Sequence, residues 1–169
     1  MRDDTPCHLT AKDMSVLEAM MDRPEVVASP AIAHLLRRKL AAARVCMRDD
    51  VDPRVATINS RILYAVGSSP AETCILTHGG ENALPGTALP ISGLHGLALL
   101  GLMEGDAIAV DTGNGRTDVL HLVRIEYQPE AARRSNVRPR LALVTAGRMP
   151  NRRATAGNPE DDDPGPRAA

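Results

Sequence analysis

The run from Ile91 to Tyr127 constrains the fold of this chain more than any other segment. Ser92 can cap a short helix with a leucine-rich inner face, and Gly101 is placed to end that helix in a left-handed conformation. Gly105-Asp106 then turns the chain into a strand, and an Asn-Gly pair favours a tight hairpin into the next strand. The run therefore predicts a strand end, a helix and a hairpin within a small sheet.

The residues before that run alternate with the period of strands. The alternation begins at Arg54, and Gly/Ser/Pro-rich turns separate two further strands at 72–77 and 88–91. In the last strand of the domain, two sets of residues should face opposite sides: His121, Val123, Ile125 and Tyr127 against Leu120 and Leu122. About five strands and one packed helix predict an α+β domain over residues 54–129, with a mostly antiparallel sheet.

Residues 9–48 have helical periodicity instead. Thr10 and Asp13 resemble a capping box, with aspartate in place of glutamate, and Pro24 stops this first helix. Two amphipathic helices joined by a short turn predict an antiparallel helical hairpin, a short coiled coil, with arms of about 20 and 25 Å.

The second helix of this hairpin should begin at Ser29-Pro30, a capping residue followed by proline at the first helical position. Its apolar stripe continues to Ala43 and Met47. Its opposite, polar face carries the basic residues Arg37, Arg38, Lys39 and Arg44.

Three segments flank the two predicted folded regions. Residues 1–8 and 130–169 are expected to be disordered termini, and 49–53 is expected to be a linker. A loose basic cluster occurs in the C-terminal segment, at Arg133, Arg134, Arg138 and Arg140. Such a cluster is usually solvated, and the alternative is a weak or indirect contact with nucleic acid.

Composition excludes several classes of function. The net charge of −1 gives no global attraction to nucleic acid or to an anionic membrane. With two Tyr, no Phe and no Trp, the chain is not expected to stack bases or sugars on aromatic rings. Three cysteines, an odd number, favour a reducing compartment, and no apolar run is long enough to span a bilayer. We therefore expect a cytoplasmic protein that does not act in a membrane.

No residue pattern indicates an active site. None of the five histidines has a metal-ligand spacing, and the glycine pairs do not form a phosphate-binding loop. Asp22 and Glu25, at the hairpin tip, could help to hold a divalent cation, but isolated surface carboxylates are more simply solvated turn residues. We expect no catalytic residues, no cofactor, no metal and no small-molecule substrate.

Three stretches of sequence carry a resemblance to a known family. They are Val55-Ala56-Thr57-Ile58-Asn59-Ser60-Arg61-Ile62, Ala98-Leu99-Leu100-Gly101-Leu102 with Gly105-Asp106, and Ile125-Glu126-Tyr127-Gln128-Pro129-Glu130-Ala131-Ala132. Together with the helical hairpin, over roughly residues 9–132, the chain resembles the Gre-type transcription elongation factors. Within that family it is most similar to the short-finger branch, the regulators of nucleoside diphosphate kinase.

The resemblance implies a C-terminal domain with a fold like FK506-binding prolyl isomerases, which docks on the RNA polymerase core enzyme. The partner-binding residues that we expect on this basis are Asn59, Arg61, Ser92 and Asp106. Asn59 can instead be a turn or ladder residue, and Asp106 can simply cap the Gly105 turn. Long-finger members carry Ser-Pro where this chain has Ser92-Gly93.

In long-finger members the hairpin places acidic tip residues near the catalytic magnesium of the polymerase and thereby stimulates transcript cleavage. Arms of about 30 residues reach about 45 Å there, roughly twice the reach expected here. A metal ligand must come within about 2 Å, so Asp22 and Glu25 are not expected to act in this way. We expect a non-enzymatic regulator of elongation. The alternative is an adaptor that acts on nucleoside diphosphate kinase independently of polymerase.

Overall fold

The N-terminal part of the chain consists of three helices that connect two short, paired strands. The structure is a computed structural model that describes residues 6–79 and 86–137. The first elements in chain order are β1 (Cys7–Thr10), α1 (Ala11–Met20), α2 (Pro24–Val27), α3 (Pro30–Ala42) and β2 (Ala43–Cys46). β1 and β2 pair in parallel, with Cys7 opposite Ala43 and Thr10 opposite Cys46. Because parallel strands need a crossover connection, the three helices form that crossover.

The predicted helix starts are confirmed. Thr10 Oγ1 accepts a hydrogen bond from the Asp13 backbone N–H at 3.1 Å, as the capping box requires. α3 begins at Pro30 directly after Ser29, although the Ser29 side chain makes no capping hydrogen bond. Both starts depend on local signals, which explains why they can be predicted.

The prediction of two helices across residues 9–48 is wrong at both ends and in the middle. Residues 9 and 10 belong to β1, α2 is a separate short helix, and α3 ends at Ala42 instead of continuing to Met47. The backbone becomes extended at Ala43, with ψ 128°, and the next residues pair with β1. This pairing is a tertiary interaction that overrides helical periodicity. Met47 is exposed and takes no part in an apolar stripe.

The prediction of an exposed polar face on the second helix is also wrong at one residue, Lys39. Lys39 is only 4% exposed, whereas Arg37 and Arg44 are exposed as expected. The Lys39 side chain points toward the sheet domain, because its Nζ donates a hydrogen bond to the Leu100 carbonyl oxygen.

The second part of the chain is a five-stranded sheet with one packed helix. Its elements are β3 (Arg61–Val66), β4 (Glu72–Thr77), β5 (Ala88–Pro90), α4 (Leu94–Leu99), β6 (Ala107–Asp111) and β7 (Thr117–Tyr127). The strand order is β5-β4-β3-β7-β6, and only the β4–β5 pair is parallel. The predicted α+β class and the mostly antiparallel sheet are confirmed.

The first sheet strand begins later than predicted. Val55 forms only an isolated bridge with Met103, residues 58 and 59 lie in a turn, and β3 starts at Arg61. Asn59 has a φ of 69°, which interrupts an extended chain, and the Thr57 backbone N–H donates to Ser60 Oγ at 3.1 Å. Such a bond between a side chain and a nearby N–H gives the backbone an alternative to a strand ladder.

Irregular pairing changes which side chains of β7 face the core. The register between β3 and β7 shifts twice. The predicted alternation is correct at Leu120 and Leu122, which are buried, but it is wrong at Ile125, which packs on the core while Val123 is exposed. An extra residue in one strand reverses the facing of the residues beyond it.

The β6–β7 hairpin turns where predicted, but its loop is wider. The Thr112 backbone N–H donates to the Arg116 carbonyl oxygen at 3.0 Å and encloses three residues. Gly113 and Gly115 have positive φ, 82° and 70°, and Asn114 does not. The turn is therefore not the two-residue Asn-Gly type, which needs positive φ at both residues.

One hydrophobic core joins the helical layer and the sheet. Leu17 and Met20 of α1 and Leu36 of α3 are fully buried, in the same cluster as Ile62 and Leu122 of the sheet. Burying one such side chain contributes about 1.5–3 kcal/mol. The helices are therefore held on the sheet mainly by the hydrophobic effect.

The C-terminal segment begins with a helix, α5 (Pro129–Val137), so the prediction of disorder from residue 130 is wrong as far as Val137. Gln128 Nε2 donates to the carbonyl oxygens of Asp52 and Val55, at 2.8 and 2.7 Å, and anchors this helix at its start. The predicted disordered N-terminus is likewise a strand from Cys7 onward. Residues 1–5, 80–85 and 138–169 lie outside the described residues.

Within the part of the chain that the structure describes, no helix combines the length and apolar character needed to cross a bilayer.

Candidate partner-docking surface

Arg61 is the first residue of β3, the central strand of the sheet. It is exposed and stands opposite Ile75 of β4 and Tyr127 of β7. Because directly opposed residues in antiparallel strands point to the same side, these three side chains share one face. We call the side of the sheet that carries Arg61, Leu63, Thr73, Ile75, Arg124 and Tyr127 the outer sheet face. Val123 precedes Arg124 at a register shift between β3 and β7.

The outer sheet face combines apolar and charged groups. Tyr127 is 50% exposed, Val123 is also exposed, and Leu63 and Ile75 are half-buried. Glu126 Oε1 accepts a hydrogen bond from Thr73 Oγ1 at 3.4 Å and lies 3.6 Å from Arg124 Nη2. Aromatic and arginine side chains with an apolar surround are the composition that protein interfaces favour.

Asn59 has a structural role at the edge of this face. Its left-handed backbone makes the turn into β3, and its backbone N–H donates to the Leu76 carbonyl oxygen at 2.7 Å. The turn reading of Asn59 is therefore correct, and its half-buried side chain adds little exposed area.

Ser92 is exposed, but it does not cap α4 as predicted. The residue at the cap position is Gly93, and no side chain makes a capping bond there. The Gly93 backbone N–H bonds to the Pro90 carbonyl oxygen at 3.0 Å, so the chain turns before the helix starts. Ser92 follows β5, whose last residue pairs with Thr77 of β4, so it lies at the same end of the sheet as Asn59.

Asp106 lies away from the other three predicted residues. It precedes β6, at the opposite edge of the sheet from β5. Its Oδ2 accepts a hydrogen bond from the Met103 backbone N–H at 3.1 Å, and its carbonyl oxygen accepts one from Leu122 at 2.9 Å. Asp106 therefore fixes the turn into β6, as the alternative interpretation expected, and the structure does not gather all four residues in one site.

Asp22 and Glu25 are exposed in the connection between α1 and α3. Arg23 separates them in sequence, and Glu25 belongs to the first turn of α2. Among residues 6–79 and 86–137, no group of three or more His, Cys, Asp or Glu is arranged to hold a metal ion. The two carboxylates thus have the positions of solvated turn residues.

A groove that the sequence did not reveal runs between α3 and the sheet. Its volume is about 280 Å³, and it is lined by His34, Leu35 and Arg38 on one side and by Leu94, Val110 and Asp111 on the other. These residues come from three separate parts of the chain, so no spacing rule could have connected them.

Two buried polar contacts hold the helical layer on the sheet domain. Lys39 Nζ bonds to the Leu100 carbonyl oxygen and lies 3.9 Å from Cys7 Sγ. Burial lowers the pKa of Lys39 and raises the pKa of Cys7, so both groups are driven toward their neutral forms. At the other contact, the Asp13 carboxyl meets the backbone N–H of Ile58.

Comparison with known proteins supports the family resemblance. No protein-family model matches the sequence. The chain is 29% identical over 121 residues to the regulator of nucleoside diphosphate kinase of Escherichia coli strain K12, a match that covers 71% of this chain and 88% of the relative. The protein of the same name from Shigella flexneri matches to the same extent.

A solved structure gives the fold independently. The prokaryotic transcription elongation factor GreA/GreB from Nitrosomonas europaea superposes with a TM-score of 0.55 at 27% sequence identity. The superposition covers 72% of this chain and 98% of that chain. The chain is therefore similar in sequence to the regulators of nucleoside diphosphate kinase and similar in fold to a GreA/GreB transcription elongation factor.

Proposed function

We propose that this chain binds RNA polymerase through its outer sheet face and regulates transcription elongation without catalytic activity of its own. The observation that carries the proposal is the similarity in fold and sequence to a transcription elongation factor, over nearly the whole length of that protein. The partner would be the polymerase core enzyme in the cytoplasm, and any contact of this chain with nucleic acid would be indirect.

The docking residues that we propose are Arg61 and Tyr127, with Val123 and Ser92 nearby. Tyrosine and arginine are enriched among the residues that dominate the binding energy of protein interfaces. Arg61 was expected from sequence, and its position opposite Tyr127 supports it. Asn59 and Asp106 would contribute by fixing the turns on which this surface depends.

Replacing Tyr127 by alanine should weaken the binding of core polymerase by roughly tenfold or more, the usual effect of truncating an interface hot spot. Arg61→Glu should have a similar effect by reversing a charge at the same place. The measurement is a titration of labelled protein with purified core enzyme. Val27→Ala is the control, since Val27 is 69% exposed on α2 and outside the outer sheet face.

We propose further that the α1–α3 segment is the counterpart of the family's hairpin and the sheet that of its FK506-binding-protein-like domain. α1 has 10 residues and α3 has 13. At about 1.5 Å per residue they extend only about 15 and 20 Å. Asp22 and Glu25 would remain far from a buried catalytic metal, and a backtracked elongation complex should cleave its transcript no faster in the presence of the protein.

A second candidate function is an adaptor that acts on nucleoside diphosphate kinase without polymerase. The observation that favours it is the name of the sequence relatives, regulator of nucleoside diphosphate kinase. A parallel titration with purified kinase separates the two functions. If the first function is correct, the protein binds polymerase and the Tyr127→Ala variant binds it more weakly. If the second is correct, the protein binds only the kinase.

A further inference from the structure

A buried carboxyl group lies where the helical layer, the turn before β3 and α5 meet. Asp13, in the first turn of α1, is 2% exposed. Its Oδ2 is buried and has no hydrogen-bond partner among the described residues. Its other hydrogen bonds come from Thr10 and from the backbone N–H of Ile58. Buried side-chain oxygens normally have a partner, so an unpaired one calls for an explanation.

A second buried acid, on α5, acts electrostatically on this group. Glu130 is also buried, and its Oε2 accepts a hydrogen bond from Thr57 Oγ1 at 2.7 Å. Thr57 Oγ1 lies 2.9 Å from Ser60 Oγ, so the turn is tied to α5 through this carboxylate. Glu130 therefore connects the end of the described chain to the turn that Asp13 contacts.

No described cation offsets the two acids by an ion pair. The negative charge of Asp13 also raises the pKa of two thiols, those of Cys7 on β1 and Cys46 on β2. Lys39 of α3 is buried nearby in the fold, but its hydrogen bonds go to Cys7 and Leu100. Two ionised carboxylates in this environment would repel each other with little screening by water.

The surroundings of Asp13 shift the pKa of its carboxyl group upward. Burial raises the pKa of Asp13 most, hydrogen bonding to Thr10 works against that rise, and the negative charge of Glu130 adds to it. A protonated carboxyl carries no charge, so its unpaired oxygen costs less to bury than that of a carboxylate.

We propose that protonation of Asp13 controls how tightly α5 packs against α1 and the 57–60 turn. When Asp13 is protonated, α1, the 57–60 turn and α5 pack together as observed. When it is ionised, repulsion of Glu130 weakens the contact with Thr57 and loosens α5. The remaining ties of α5 and its start are the two hydrogen bonds of Gln128 and those of Arg134 to the carbonyl oxygens of Arg48 and Asp49.

The direction of the pH dependence follows from proton linkage. The folded state binds the Asp13 proton more tightly than the unfolded state, because the folded pKa is raised. This stabilisation is fully present below the ordinary aspartate pKa of about 3.9 and is lost as the pH rises through the raised value. The protection of α5 should therefore decrease with rising pH.

The test is hydrogen exchange of the α5 amides across a pH series, corrected for the intrinsic exchange rate. In the wild type, part of the protection of these amides should be lost as Asp13 ionises, because the raised pKa means that ionisation costs the folded state free energy. Asp13→Asn keeps the shape of the side chain and should abolish this loss. Asp22→Asn, at an exposed position, should behave like the wild type.

A second variant tests the role of Glu130 without altering Asp13. Glu130→Gln can still accept the hydrogen bond from Thr57 but lacks the charge, so the midpoint of the pH dependence should move to lower pH. A wild-type pH dependence in Asp13→Asn, its loss in Asp22→Asn, or an unmoved midpoint in Glu130→Gln would each overturn the proposal.

Discussion

Replacing Leu36 by alanine should lower the free energy of unfolding of the entire protein by roughly 2–5 kcal/mol. Leu36 is fully buried on α3 and belongs to the same core cluster as the sheet residues Ile62 and Leu122. The substitution removes apolar contacts and leaves a cavity between helix and sheet that the backbone can only partly fill. If helices and sheet share one core, both should lose stability together.

The measurement is urea unfolding followed by two signals. Far-UV circular dichroism reports mainly on the helices. Both aromatic residues of the chain, Tyr64 and Tyr127, lie in sheet strands, so tyrosine fluorescence reports on the sheet. The two transitions should coincide and shift together. The control Val27→Ala should change the stability by no more than about 0.5 kcal/mol. A Leu36→Ala protein in which only the helical signal shifts would show that the two parts fold independently.

Replacing Gly101 by alanine should destabilise the protein by roughly 2–5 kcal/mol, through backbone strain and overpacking combined. Gly101 has a φ of 79°, and an added Cβ would lie 2.7 Å from Cys7 Sγ and 3.0 Å from the His8 carbonyl oxygen. The Gly101 carbonyl oxygen also accepts a hydrogen bond from the His8 backbone N–H at 2.8 Å. The substitution would therefore displace β1 from the sheet domain.

Gly115→Ala is the matched control, measured by the same urea titration. Gly115 has a similar φ of 70° but nothing within 4 Å of an added Cβ. The Gly115→Ala variant should lose only the free energy of backbone strain at positive φ, about 1–2 kcal/mol. The difference between the two variants isolates the close approach of β1. Equal losses at Gly101 and Gly115 would mean that β1 does not pack against this position.

The parts of the fold that sequence predicted are those specified by local signals. The Thr10 cap needs only the residue three positions later, and the bounds of β4 follow from alternation between turns. The left-handed conformation of Gly101 follows from its place after a short apolar helix. Each of these features depends on residues close in sequence, so reading along the chain is enough.

The parts that sequence missed depend on distant partners. β2 leaves the helical pattern because it pairs with β1. Lys39 is buried at the sheet domain, where its Nζ donates a hydrogen bond to the carbonyl oxygen of Leu100, just after α4. α5 forms where composition indicated disorder, because Gln128 donates hydrogen bonds to the carbonyl oxygens of Asp52 and Val55, and Glu130 accepts one from Thr57. None of these contacts has a signature in residue spacing.

The candidate docking surface was predicted only in part. Arg61 lies on an open face of the sheet, and Tyr127, which sequence analysis placed on a strand but not in the site, stands opposite it. Asn59 and Asp106 are held by backbone hydrogen bonds in turns, as their alternative interpretations stated. Which strands are neighbours decides which residues share a surface, and strand order cannot be read from alternation alone.

The most direct test of the proposed function is to add the purified protein to a backtracked elongation complex and to measure binding and transcript cleavage in the same sample. We predict that the protein is retained on the complex, that Tyr127→Ala reduces this retention, and that the rate of cleavage does not rise. Failure of the wild-type protein to bind the complex, or robust stimulation of cleavage, would contradict a docking factor with a short helical segment.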